Sequence, residues 1–76
     1  MLKVVLSSPK ELMFDGLAES VYLPGEYGEF EVLPFHQQIM STLKKGIVRI
    51  DEQFFNIKEG IARLDENNEL IILVSV

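Results

Sequence analysis

Turn-forming residues recur along the whole chain at intervals of roughly seven to twelve residues, and this spacing limits the possible folds more than any other feature of the sequence. Clusters of such residues occupy positions 7–9, 15–16, 24–28, 44–46, 51–53 and 65–68, and Pro34 and Gly60 interrupt the two longest intervals between clusters. No segment between them sustains the 3.6-residue period of an amphipathic helix. The sequence therefore predicts an all-β domain, either a small sandwich or a barrel.

The segments between the turns have the length and composition of strands. We predict strands over residues 2–6, 11–14, 17–23, 29–32, 47–50, 54–57, 61–64 and 70–74, and we interpret the ambiguous segment 36–43 as extended. Asp15 and Gly16 predict a tight hairpin turn, and residues 24–28 predict an exposed irregular loop. Gly60 predicts a bulge or a close approach of two backbones.

The length of 76 residues allows one domain, residues 1–76, which buries only roughly 60 to 65% of the surface that the unfolded chain exposes. The absence of cysteine and the single histidine exclude a disulfide framework, a thiolate metal site and a His-rich zinc site. We predict neither a metal nor a cofactor. An apolar content of 47% is high for so short a chain, which indicates that part of the apolar surface is reserved for another protein.

Charge is distributed unevenly along the chain, whose formal net charge is −5. No Lys or Arg lies between Lys10 and Lys44. This interval contains six acidic residues: Glu11, Asp15, Glu19, Glu26, Glu29 and Glu31. Binding to nucleic acid depends on clustered basic residues, so the pattern argues against it. No apolar run approaches the ~18 residues of a membrane span, and the start of the chain lacks the features of a signal peptide, so we predict a cytoplasmic protein.

The residues whose side chains could take part in catalysis or binding are concentrated in positions 21–36. Strict alternation places Phe30 and Val32 on one strand face and Glu29 and Glu31 on the other, with the two carboxylates about 7 Å apart. A solvated strand face explains the glutamates better than a pair for acid and base catalysis.

Neither catalysis nor a free-standing binding module finds support. His36 has no serine in a Gly-x-Ser-x-Gly turn to act with, so we predict no enzymatic role and no catalytic residues. The alternative class is a small β-sandwich or barrel that binds a small ligand or single-stranded nucleic acid. Such modules present basic grooves with exposed aromatic residues, and residues 11–43 contain neither a basic residue nor regularly spaced aromatic residues.

For His36 and for Tyr27, the sequence leaves two interpretations open. His36 is either a core or loop histidine that bonds a backbone carbonyl or a contact to a partner. Tyr27, beside Glu26 at the loop tip, either supplies contact area at an interface or folds over the edge of its own domain.

Several motifs follow one another in the order and spacing of a known family. They are Leu23-Pro-Gly-x-x-Gly-Glu-Phe, Val32-Leu-Pro-x-His36 and Leu43-x-x-Gly46-Ile-Val-Arg-Ile50, with Val-Val-Leu-Ser-Ser-Pro and Met13-Phe14-Asp-Gly16 before them and Phe55-Asn-Ile57-x-x-Gly60-Ile-Ala-x-Leu64 and Leu70-Ile-Ile-Leu73 after them. Together they cover the whole chain. On this basis the chain resembles the N-terminal domain of the epsilon subunit of F-type ATP synthase.

The resemblance implies a flattened ten-stranded β-sandwich of two small antiparallel sheets. It also implies a non-catalytic subunit of the central rotor that bridges the gamma subunit and the polar loops of the c-ring, and that helps couple rotation driven by proton or ion flow to ATP synthesis. Such a subunit is peripheral, on the cytoplasmic face of the bacterial plasma membrane, and contacts the membrane only through the complex.

The resemblance also implies a set of partner-binding residues on the c-ring side. They are Glu26, Tyr27, Gly28, Glu29, Phe30 and His36. Glu29 is expected against the polar loop of the c-ring, where the family carries an arginine. That arginine would account for the acidic bias of this half of the chain.

The chain departs from the family pattern at several positions. The family usually has glycine where this chain has Glu31 and Phe35, Ala-Pro-Leu at residues 37–39 and Ser-Gly-Gly at residues 58–60. Because glutamate takes a strongly positive φ only at a cost, either the backbone at Glu31 differs or the family's glycine serves packing. Relatives continue into a two-helix hairpin that is not encoded in residues 1–76. We expect either a naturally short epsilon subunit or a chain cut at the last strand, and a finish without linker residues favours the first.

Overall fold

The computed structural model describes residues 1–35 and 38–76 and places nine β-strands in them. The strands are β1 Leu2–Ser7, β2 Leu12–Ala18, β3 Val21–Gly25, β4 Gly28–Val32, β5 Ile39–Leu43, β6 Gly46–Ile50, β7 Gln53–Ile57, β8 Glu59–Leu64 and β9 Glu69–Ser75. In these two ranges no helix is long and apolar enough to cross a membrane. The prediction of an all-β fold is confirmed.

All of these strands belong to one hydrogen-bonded sheet, in the order β2-β1-β9-β8-β5-β3-β6-β7, with β4 paired to β3. β1 and β9 run parallel, whereas the other pairs are antiparallel. One edge of β3 pairs with β4 along its length, and the other edge is shared. Val21 and Tyr22 pair with β6, and Gly25 pairs with β5. β3 therefore joins the two halves of the sheet.

The strand count and the number of sheets differ from what the resemblance implied. The described residues form nine strands rather than ten, and pairing through β3 makes the two halves one continuous sheet with one parallel pair. The physical reason is the shared edge of β3, because a strand that pairs with both β5 and β6 carries the hydrogen bonding from one layer into the other.

Side chains from both halves of the sheet fill one hydrophobic core. Alternate residues are buried along β1, β6, β8 and β9, as the period of a half-buried strand requires. The rings of Phe14 on β2 and Phe55 on β7 meet edge to face, with their centroids 6.5 Å apart, although these strands lie at opposite ends of the strand order. The sheet thus folds back on itself and closes around the core as a sandwich.

One predicted turn was wrong in position. Asp15 and Gly16 lie inside β2, and the chain turns instead at Glu19 and Ser20. The backbone N–H groups of Glu19 and Ser20 donate to Asp51 Oδ1, at 3.0 and 3.1 Å. β2 pairs with β1, and β3 pairs with β4, β5 and β6, so this turn leads the chain between two strands that do not pair with each other. A carboxylate remote in sequence stabilises the turn, which the local pattern could not indicate.

Of three further predictions, two are confirmed, and the third, the loop over residues 24–28, is right only at its centre. The predicted loop over residues 24–28 is shorter, because β3 continues through Gly25 and β4 begins at Gly28. The close backbone approach at Gly60 is confirmed, since a Cβ atom there would lie 2.5 Å from the carbonyl oxygen of Leu73. β5 confirms the extended interpretation for residues 39–43, whereas residues 36–37 lie outside the described residues.

Candidate docking surface

The hairpin of β3 and β4 presents the candidate site at a two-residue turn. Glu26 and Tyr27 form the turn, and the Tyr27 side chain is 100% exposed. Gly28 has a φ of 135°, a value that favours glycine. At Gly25, a Cβ atom would lie 2.7 Å from the Gly28 carbonyl oxygen and 2.7 Å from the Phe30 ring. The two glycines therefore allow the tight tip that holds Tyr27 away from the domain, which favours its interpretation as an interface residue.

β4 alternates between core and solvent in the way that the sequence predicted. The Phe30 ring packs against the core and Val32 is fully buried, whereas Glu29 is exposed. Glu31 is half-buried and lies opposite Tyr22. Of the residues assigned to the c-ring side, Phe30 anchors the hairpin to the core and Glu29 points outward.

Glu26 is bonded within its own domain. Its carboxylate accepts a hydrogen bond from the Thr42 hydroxyl, and its backbone N–H donates to the Thr42 carbonyl at 3.1 Å. The carbonyl of Pro24 also accepts a hydrogen bond from the N–H of Lys44, at 2.9 Å. The hairpin tip is therefore fastened to β5, which fixes its position relative to the other half of the sheet.

Strand pairing also assembles a row of side chains that the sequence analysis did not predict. Glu31 lies opposite Tyr22, Tyr22 opposite Arg49 and Arg49 opposite Phe54. The guanidinium carbon of Arg49 is 5.1 Å from the centroid of the Tyr22 ring and 5.8 Å from that of the Phe54 ring, within the range of cation–π attraction. These neighbours come from four separate segments, so no local sequence pattern could have indicated the row.

The half of the sheet that is formed by β2, β1, β9, β8 and β5 carries an exposed apolar patch on the side that faces away from the core. We call this patch the outer apolar face. Its apolar members are Val5, Met40, Ile61, Ile71 and Leu73, and the exposed side chain of Arg63 lies between Met40 and Ile71. Strand register places Val5 opposite Ile71 and Ile61 opposite Leu73. Met40 is 73% exposed, and Ile61 and Leu73 are each 47% exposed. The high apolar content predicted that part of the apolar surface is exposed, but only the strand register shows which residues form this surface.

The whole chain, residues 1–76, matches a family model described as the β-sandwich domain of the ATP synthase delta/epsilon chain. The chain belongs to this family. The ATP synthase epsilon chain of Campylobacter curvus is 37% identical over 76 residues, which cover 93% of this chain and 59% of the relative. That of a Nitratiruptor species is 46% identical over 50 residues, which cover 66% of this chain and 39% of the relative. The chain thus spans less than two thirds of the length of these relatives.

Solved structures share the delta/epsilon fold. A chain of the Euglena gracilis mitochondrial ATP synthase, in a structure of OSCP, F1 and c-ring, superposes with a TM-score of 0.89 at 17% identity, over 99% of this chain and 51% of that one. A chain of the Tetrahymena thermophila mitochondrial ATP synthase, in a structure of the central stalk and c-ring, gives a TM-score of 0.81 at 16% identity, over 99% and 63%. Likeness at this level of identity establishes the β-sandwich fold.

Two of the departures from the delta/epsilon pattern, at Glu31 and at Phe35, have different structural outcomes. Glu31 lies in regular strand backbone with a negative φ, so a glutamate fits there without strain. Phe35 has a φ of 62°, in the left-handed region that favours glycine, and its side chain is 87% exposed. The remaining predicted residue of the c-ring side, His36, lies outside the described residues, and its role stays a prediction.

The surface of the described part of this delta/epsilon domain has features that fit contact with another protein. Within it, no group of three or more His, Cys, Asp or Glu side chains is placed to hold a metal ion. Every buried side-chain nitrogen or oxygen in that part has a hydrogen-bond partner. The surface presents an acidic hairpin and an apolar face, and surfaces of these two kinds contribute to protein interfaces through charge and through burial of apolar area.

Proposed function

We propose that this domain is a central-stalk subunit of a proton- or ion-translocating F-type ATP synthase that joins the gamma subunit to the c-ring and helps couple rotation to ATP synthesis. The observation that carries the proposal is that a domain of the ATP synthase delta/epsilon family presents two exposed surfaces of different chemistry on a single core, the acidic hairpin and the outer apolar face. The domain is non-catalytic in this role. It sits at the cytoplasmic face of the bacterial plasma membrane and reaches the membrane only through the complex.

The hairpin tip is the proposed contact with the polar loops of the c-ring. Glu29 is exposed on the outward face of β4, and the fully exposed ring of Tyr27 stands two residues before it. A carboxylate facing an arginine contributes about 0 to 1 kcal/mol when both remain solvated and more when the contact excludes water. The Tyr27 ring supplies apolar contact area that excludes water from such a pair.

Charge reversal at Glu29 is expected to weaken binding to the c-ring. In the Glu29→Lys variant, repulsion from the loop arginine replaces attraction, and we expect about a tenfold loss of affinity that shrinks as salt is raised. The measurement is retention of the domain on immobilised, detergent-solubilised c-ring at two salt concentrations. Unfolding in urea should be unchanged, because an exposed substitution changes stability by only about 0.5 kcal/mol.

The matched control for this reversal is Glu52→Lys. Glu52 is also exposed and lies in the turn between β6 and β7, close to the end of β3 that is remote from the hairpin tip. It undergoes the same change of charge, so a general effect of net charge would weaken both variants equally. Equal retention of the two variants on the c-ring would contradict the assignment of Glu29.

The outer apolar face is the proposed contact with the gamma subunit. Ile61, Leu73 and Met40 each expose about half or more of their side chains on adjoining strands, which is unusual for a solvated sheet face. A shallow groove at the edge of this face is lined by Ile61 and Leu73 together with charged residues, among them Glu26, Lys44 and Lys58. A partner that covers this face with apolar side chains would gain the free energy of removing that area from water.

A charge in the outer apolar face is expected to abolish most binding to gamma. In the Ile61→Glu variant a carboxylate would be buried against the partner, and we expect at least about a tenfold loss of affinity in a pull-down with purified gamma. Ile47→Glu is the control, because Ile47 is the same residue type and is also 47% exposed, but lies on β6 in the other half of the sheet. Loss of gamma binding by Ile47→Glu with retention by Ile61→Glu would place the contact on the other half.

A further inference from the structure

Arg63 lies within the outer apolar face, and strand pairing surrounds it with apolar side chains. β8 pairs with β9 on one edge and with β5 on the other, which places Arg63 opposite Ile71 and opposite Met40. Ile61 precedes Arg63 by two residues on β8, and both side chains are exposed on the same face of the strand. A partner that covers Met40, Ile61 and Ile71 therefore also covers Arg63.

The guanidinium group of Arg63 has no acidic partner in the described part of the domain. Residues 1–35 and 38–76 contain one ion pair, between Lys3 and Glu69 at 3.8 Å. Asp65 is the acidic residue nearest to Arg63 along the chain, and its Oδ1 accepts from two backbone N–H groups of its own turn, at 2.9 and 3.1 Å. Glu66 is exposed in the same turn. The charge of Arg63 is therefore balanced by solvent in the free domain.

Burial of an unpaired guanidinium group would oppose any binding through this face. The cost of removing a charge from water offsets much of what is gained by burying the neighbouring apolar side chains. A carboxylate on the partner reduces this cost, because the planar guanidinium group donates two parallel hydrogen bonds to it. An arginine that instead extends around the partner into solvent would keep its charge hydrated, and the charge would then contribute nothing to binding.

The groove at the edge of the outer apolar face has an excess of positive charge. Three lysines and two glutamates line it, which are Lys44, Lys45, Lys58, Glu26 and Glu59. The carboxylate of Glu26 already accepts a hydrogen bond from the Thr42 hydroxyl. Together with Arg63, the groove holds four of the seven basic residues of a chain whose net charge is −5. An acidic partner is therefore attracted to this face although the chain as a whole is acidic.

We propose that the segment of gamma that covers the outer apolar face combines apolar side chains with an acidic side chain placed opposite Arg63. The inference rests on the proposed function for the identity of the partner, and it adds the chemistry that this partner brings. Arg63 then provides specificity, because an apolar surface without a carboxylate at that position would leave its charge buried and unpaired. The lysines of the groove lie at the rim of the contact, where charges act mainly on the rate of association.

The variant Arg63→Met distinguishes a paired arginine from an unpaired one, because methionine keeps an unbranched apolar stem but carries no charge. If a gamma carboxylate faces Arg63, the substitution leaves that carboxylate buried without a partner. We then expect at least about tenfold weaker binding to immobilised, purified gamma, mainly through faster dissociation. Equal or tighter binding, as added apolar area alone would give, would overturn the proposal. Urea unfolding should change little, because Arg63 is exposed.

Arg49→Met is the matched control for this substitution. Arg49 is also exposed, but it lies on β6 in the other half of the sheet, opposite Tyr22 and Phe54. It undergoes the same change of side chain and charge, so its binding to gamma should stay near that of the unaltered chain. Equal losses in the two variants would show an effect of net charge alone and would contradict the proposal. Arg63→Lys should recover part of the affinity, because it keeps the charge but not the planar donor geometry.

Double-mutant cycles with gamma complete the test. Each exposed Asp or Glu of gamma is replaced in turn by its amide, and binding is measured to the unaltered chain and to Arg63→Met. One replacement should weaken binding of the unaltered chain about tenfold and should have little further effect on Arg63→Met. If no acidic residue of gamma is coupled to Arg63, this proposal fails while the gamma contact stands. If the unaltered chain does not bind gamma, the proposed gamma contact fails as well.

Discussion

Replacement of Ile72 with alanine is expected to destabilise the domain by about 2 to 5 kcal/mol. Ile72 is fully buried in β9, which lies between β1 and β8 in the sheet. Truncation of this side chain leaves a cavity in the core, and the β9 backbone cannot move in to fill it without breaking its ladders with β1 and β8. Because domains of this kind are stable by only about 5 to 15 kcal/mol, urea unfolding followed by circular dichroism should show a large shift of the midpoint.

Leu73→Ala is the matched control for the Ile72 substitution. Leu73 is the next residue of the same strand, but its side chain points to the outer apolar face and is 47% exposed. We expect a loss below about 1 kcal/mol, because much of the removed area is already in water. Losses of similar size in the two variants would mean that β9 is not buried on one face only.

Replacement of Gly60 with alanine is expected to destabilise the domain by about 1 to 3 kcal/mol, the range for overpacking a tight site. A Cβ atom at Gly60 would lie 2.5 Å from the Leu73 carbonyl oxygen and 3.2 Å from Val74 Cα. Both of these atoms belong to the backbone of β9, so no side-chain rotation relieves the contact. Thermal unfolding should show a lower midpoint for the variant.

Gly16→Ala distinguishes this contact from a general effect of glycine in strands. Gly16 also lies inside a strand, but the nearest atom that its Cβ would meet is in the Phe14 ring at 3.6 Å, an ordinary van der Waals distance. Alanine should therefore be neutral there or should stabilise the domain by up to about 1 kcal/mol, because it restricts the unfolded chain. Destabilisation of the same size at both glycines would contradict the role of close backbone approach at Gly60.

Much of the fold could be predicted from the sequence because a half-buried strand requires a pattern of residue types that can be read within a few neighbouring positions. The alternation of Glu29, Phe30, Glu31 and Val32 predicted which side chains face the core, and the structure confirms it. The isolated Gly60 predicted a close backbone approach for the same reason, since only glycine leaves room for a neighbouring strand. Each of these predictions used only residues of the strand that it concerns.

Predictions failed where a distant residue competes with a local preference. Asp15 and Gly16 form a strong local turn signal, yet they continue β2 because β1 pairs with them and Asp51 bonds the N–H groups of Glu19 and Ser20 instead. The same limit applies to the candidate site. The bond of Glu26 to Thr42 across the sheet was not visible in the sequence, while the predicted contact of the exposed Glu26 with a partner stays a prediction.

The sequence by itself determined the all-β class, the family, most strand positions and the acidic, outward-facing Glu29, because each depends on residue type and local spacing. The tertiary structure alone decided that one continuous sheet is joined through β3, which side chains form the outer apolar face, and that Glu26 is bonded to Thr42. These depend on register between strands that are far apart in the chain. A shift of register by one residue would exchange the two faces of a strand, so only the packed core selects among the alternatives.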